Sequence, residues 1–107
     1  MATINAEIIR KSELAVRSSS ALGKVRAAYL FGSQTTGKAH EWSDIDIALF
    51  VDGSESWDFE QRTNALVKIM EECGDDVEAH FFPASEAENP EKGSFAEYIV
   101  KHGVKVH

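Results

Sequence analysis

The chain has 107 residues, 43% of them apolar, and a formal net charge of −7. That length suits a single domain spanning 1–107, which buries about 65% of its unfolded surface in one core. The acidic balance argues against direct affinity for nucleic-acid backbones. A lone Cys73 excludes an internal disulfide and fits a reducing cytoplasm, and no run of ~18 apolar residues marks a membrane span.

A first helix is expected from residue 4 to about 21, capped by Thr3 or Asn5, with Glu7 in its first turn. Ile4, Ile8, Ala15 and Leu22, joined by Ile9 and Val16, form its apolar stripe, and Gly23 stops it. Val25 to Phe31 reads as a strand, with Tyr29 and Phe31 on one face and Leu30 on the other. Apolar residues on both faces predict a covered, central strand. Gly32-Ser33 ends it, and a loop containing Gly37 runs into a short helix that reaches about His40. Residues 43 to 51 form the second strand, closed by an Asp52-Gly53 turn.

The pattern from Trp57 to Glu72 is helical, with Trp57, Ala65, Leu66, Ile69, Met70 and Cys73 on the packed side and Ser56 and Asp58 at its start. Gly74-Asp75-Asp76 turns into a third strand, Val77 to Phe82. Ser94 to His102 closes the chain as a helix with Phe95, Ile99 and Tyr98 facing in. Gly103 stops it, and Val104 to Val106 adds a short edge strand. Strand–helix–strand order predicts an α/β (α+β) fold, a small mixed β-sheet packed by helices.

The chemistry concentrates between Tyr29 and Val51. On the second strand Asp44 and Asp46 share a face, with Ala48 and Phe50 continuing the row, while Ile45, Ile47, Leu49 and Val51 line the other. Two carboxylates side by side repel each other and resist desolvation. A cation between them removes that cost, and an all-oxygen pair suits Mg²⁺ or Mn²⁺. A strand that ends at Gly32-Ser33 and turns into a helix is expected to turn backbone N–H groups and a hydroxyl towards a phosphate. A phosphate seat beside metal-holding carboxylates is what nucleotidyl transfer from a triphosphate requires.

Gly32-Ser33, then ten residues, then Asp44-Ile45-Asp46 inside an apolar strand resembles the DNA polymerase β-like nucleotidyltransferase superfamily. The chain looks most like the minimal nucleotidyltransferase (MNT) proteins, many of them antitoxins paired with HEPN-domain toxins. The resemblance implies Gly32 and Ser33 as nucleotide-binding residues, and Asp44, Asp46 and Glu78 as catalytic metal ligands. Glu78 matches the family's third carboxylate, usually Asp, and shares a face with His80; Asp76 is its rival on that face. The expected activity is Mg²⁺-dependent (or Mn²⁺-dependent) transfer of AMP, or another NMP, from an NTP to a hydroxyl, with ATP the expected donor. With no segment left over to grip an RNA or a drug, the acceptor is expected on a partner: a tyrosine of a HEPN-type toxin, silenced in the manner of a type VII antitoxin.

The sequence departs from that pattern at Gln34 and Thr36, where many relatives carry arginines. Lys38 is a nearby cation, and Trp42 suits either stacking on a ligand or packing at the loop base. His40 and His80 lack zinc-ligand spacing. The lost arginines support a second reading, a decayed antitoxin that acts by binding alone; a third, a small-molecule nucleotidyltransferase, is disfavoured by the lack of an acceptor domain. Oligomerisation is left open.

Overall fold

Alternation along one strand divides the molecule into two layers. In β2 (Ile45–Val51) the odd-numbered residues Ile45, Ile47, Leu49 and Val51 enter one apolar cluster, and Ala48 and Phe50 enter another on the opposite face. The computed structural model describes residues 6–32 and 44–107. Beside β2 lie β1 (Val25–Phe31) and β3 (Val77–Pro83), and a two-residue β4 (Val104–Lys105) completes a four-stranded sheet in the order β3-β2-β1-β4. β1 runs antiparallel to β2 and to β4, whereas β2 and β3 are parallel. The fold is therefore the expected mixed sheet packed by helices, with β1 and β2 central.

One face of the sheet is covered by α1 (Ala6–Ser20) and α2 (Phe59–Cys73), which also pack on each other. The stripe of α1 differs from the expected one. Its buried positions are Ile8, Ser12, Ala15, Ser18 and Ser19, and Leu22 lies past the helix end at 36% exposure. Serines take the place of large side chains because the two helices meet there. The Ser12 hydroxyl is satisfied locally, donating to the Ile8 carbonyl at 2.7 Å. Thr3 and Asn5, the expected caps, lie outside the described residues.

A left-handed Gly53 (φ 84°) opens the short 3-10 turn Ser54–Ser56 after β2. α2 starts two residues later than expected, and its cap is Asp58. Asp58 accepts from the Gln61 backbone N–H at 2.8 Å, and the Gln61 side chain accepts from the Asp58 N–H at 2.9 Å, a reciprocal pair that fixes the first turn. Only Ala65, Ile69 and Cys73 of α2 are buried; Leu66 and Met70 are 42% and 50% exposed. Trp57 precedes the helix and packs edge-on against Phe81. Burial pushes the Cys73 thiol up from its ordinary range, so it stays protonated and unreactive at neutral pH.

The other face is covered by α4 (Phe95–His102), capped by Ser94, with a single turn α3 (Ser85–Glu88) before it. α4 buries Ala96 and Ile99. Phe95 and Tyr98, expected to face in, are more than half exposed. Phe50 sits fully buried beneath α4, edge-on to Tyr29 and stacked on Phe82. The row begun by Asp46 is thus closed by packing from Ala48 onward and open only at its carboxylate end.

Candidate functional site

The open end of that row is where the chain brings its acidic residues together. β2 and β3 pair in parallel with Asp46 opposite Glu78 and Ala48 opposite His80. Parity puts all three polar side chains on the face away from α1 and α2. Asp46 also lies opposite Phe31, the last residue of β1. A central strand thus carries Asp46, flanked by Glu78 on one side and by the β1 exit on the other.

That exit is fitted to Asp46. Gly32 has φ +81°, and a Cβ built on it would lie 2.6 Å from Asp46 Oδ2. Glycine is needed twice over there, for the left-handed backbone and for the space the carboxylate takes. Ser33, the partner of Gly32 in the expected phosphate seat, lies outside the described residues, as do Gln34, Thr36, Lys38, His40, Trp42 and the expected short helix.

Asp44 stands just before β2 and is exposed; it is not within the strand as the sequence suggested. The chain there is tied to the head of β3, because the Ile45 N–H donates to the Asp76 carbonyl at 2.7 Å. Asp44 and Glu78 both line a groove of about 530 Å³ along the free edge of β3, whose apolar wall includes Leu66 and Met70 from α2. Leu66 and Met70, expected in the core but exposed, are therefore the α2 side chains that border this groove.

His80 is the residue that sequence reasoning missed. Its Nε2 lies 3.4 Å from Asp46 Oδ1 and 3.8 Å from Glu78 Oε1. One donor atom from each of Asp46, Glu78 and His80 lies within 4.8 Å of the others. Shared parity with Glu78 was the available signal. The β2–β3 register is what makes Asp46 the neighbour of His80.

Asp76, the rival to Glu78, is engaged elsewhere. Its carboxylate takes the Lys11 ammonium at 2.6 Å, tying α1 to the turn before β3. Lys11 is largely buried and Asp76 is 44% exposed at the side chain, so solvent screens the pair and its worth is about 1 kcal/mol. Asp76→Asn is expected to lower stability by about that amount, which thermal unfolding checks.

Two carboxylates and an imidazole converging beside a glycine-only turn make a donor set that fits a divalent cation next to a place where a phosphate can approach backbone. A family profile described as "Polymerase beta, Nucleotidyltransferase" matches residues 4–107, and the chain belongs to that nucleotidyltransferase family. No curated protein matches the chain. Among solved structures it is similar to a toxin–antitoxin crystallised with AMP-PNP, at 24% identity and a TM-score of 0.60 over 92% of this chain and 72% of the other. It is similar also to a candidate nucleotidyltransferase from Sulfolobus solfataricus, at 21% identity and a TM-score of 0.60 over 92% of this chain and 81% of that one. Both share the fold. Among the described residues no helix is long and apolar enough to cross a membrane.

Proposed function

We propose that the chain is a divalent-metal-dependent nucleotidyltransferase that moves AMP from ATP to a hydroxyl on a partner protein, a HEPN-type toxin, and thereby acts as its antitoxin. The observation that carries this reading is the register of Asp46 with Glu78 beside the Gly32 turn. In it, Asp44, Asp46 and Glu78 hold Mg²⁺ or Mn²⁺, and Gly32 and Ser33 receive the triphosphate. The bound cation would neutralise the triphosphate and favour the attacking hydroxyl in its ionised form. The acceptor oxygen forms a bond to the α-phosphorus, the bond to the α,β-bridging oxygen breaks, and pyrophosphate leaves. The hydroxyl proton passes to water.

The residues of the chain contribute position. Gly32 lets the phosphate chain lie close to backbone and leaves Asp46 room. Glu78 stands on the groove side and serves the acceptor. The apolar wall at Leu66 and Met70 suits an acceptor carried on a partner's surface, such as a tyrosine, better than a sugar hydroxyl. The similarity to a toxin–antitoxin crystallised with AMP-PNP supports the choice of partner and nucleotide.

Incubating the protein and a HEPN-type toxin with ATP labelled at the α-phosphate, with Mg²⁺ or Mn²⁺, tests the reading. Label is expected on the toxin with the native chain and not with the Asp44→Asn, Asp46→Asn double variant. An unlabelled toxin that the double variant still neutralises would leave an antitoxin acting by contact alone. Label on a free small acceptor without any toxin would mark a small-molecule enzyme.

A further inference from the structure

We infer that His80 is a metal ligand, and that it biases the site towards Mn²⁺ over Mg²⁺. The inference rests on the reading that Asp46 and Glu78 hold a divalent cation, and it adds an imidazole donor beside the carboxylates and the identity of the preferred ion.

The geometry is specific about which atom does this. His80 follows Glu78 by two residues on β3, so both emerge on the same face, and Asp46 lies directly across on β2. The imidazole atom nearest both carboxylates is Nε2, at 3.4 Å and 3.8 Å. Donors at adjacent corners of an octahedron with metal–ligand bonds of about 2.1 Å lie roughly 3 Å apart. Nε2 is within about 1 Å of that spacing from both carboxylates, and the cluster as a whole, its donor atoms all within 4.8 Å of one another, closes by at most about 1.8 Å to reach it.

The ring is also held in place. It contacts Phe31 edge-on with centroids 5.0 Å apart, and Phe95 edge-on at 6.1 Å. Those two phenyl rings touch each other at 5.4 Å. Phe31 is the last residue of β1 and Phe95 the first of α4, so three elements fix the imidazole plane. A preoriented nitrogen loses little freedom on ligation.

Chemistry then selects the ion. Mg²⁺ prefers oxygen donors and gives up its waters reluctantly, whereas a first-row transition ion of the same charge accepts imidazole. A set of two carboxylates and one imidazole therefore costs Mg²⁺ more than Mn²⁺.

Mn²⁺ alone, added to the native protein, is the probe, followed by electron paramagnetic resonance. Pulsed spectra are expected to show nitrogen coupling from a directly bound imidazole. Mg²⁺ competition is expected to place Mn²⁺ affinity about tenfold or more above that of Mg²⁺. His80→Phe, which suits the aromatic surroundings, should abolish the nitrogen coupling, lower Mn²⁺ affinity about tenfold and leave Mg²⁺ affinity unchanged. Mn²⁺ that binds, is lost in Asp46→Asn, yet shows no nitrogen coupling in the native protein would overturn the role of His80 while sparing the metal site. Mn²⁺ that fails to bind, or binds as well to Asp46→Asn, would overturn both.

Discussion

Asp46→Asn is expected to reduce nucleotidyl transfer more than ~100-fold, because even the outer partners of metal ligands are each worth about 10–100-fold. Asparagine keeps the shape and removes the charge. The position is central: Asp46 sits on an interior strand, 23% exposed at its side chain, opposite Glu78. Like charges directly opposite on paired strands destabilise by roughly 0.2–1 kcal/mol. Neutralising one of them is thus expected to leave the unfolding temperature unchanged or slightly raised. Lost activity with retained stability is the signature of a carboxylate kept for its charge. Thermal unfolding beside a labelled-ATP assay reads both, and a variant as active as the native chain would remove Asp46 from the site.

The second large effect is at Gly32. Gly32→Ala is expected to destabilise by about 1–2 kcal/mol, the cost of a Cβ in left-handed backbone. It is expected also to lower transfer by about 100-fold, the scale of an ångström-sized misplacement of a reacting group. The reason is the 2.6 Å approach to Asp46 Oδ2, which forces that carboxylate to swing aside. Gly32→Asn separates the two causes. Asparagine tolerates φ > 0 better than alanine but still carries the Cβ. Stability should partly recover and activity should not. Recovery of both would mean that backbone strain alone explained the alanine variant.

Much of the site was legible because it depends on short-range periodicity. Alternation along Ile45–Val51 gave the apolar face and the row holding Asp46, and parity placed Glu78 and His80 together. The parallel pairing of β2 with β3 was not legible in detail, because register is a non-local property, here between residues 32 positions apart, Asp46 and Glu78. That pairing is what makes His80 a neighbour of Asp46. The expected burial of Leu66, Met70, Phe95 and Tyr98 failed for a related reason. Helical periodicity marks an apolar stripe but not its width, and a thin sheet covers only the middle of it. For α1 the error ran the other way: Ser12, Ser18 and Ser19 are buried where two helices meet, a contact that hydropathy alone does not reveal.

On the proposed reading, Asp46 and Glu78 trap a divalent cation against a triphosphate. A crystal grown with Mn²⁺ and a non-hydrolysable ATP analogue tests it most directly. Anomalous scattering should place manganese about 2.0–2.4 Å from carboxylate oxygens of Asp46 and Glu78, with the triphosphate on its far side against Gly32. Nucleotide bound with no manganese at Asp46, or manganese seated away from both carboxylates, would contradict the account.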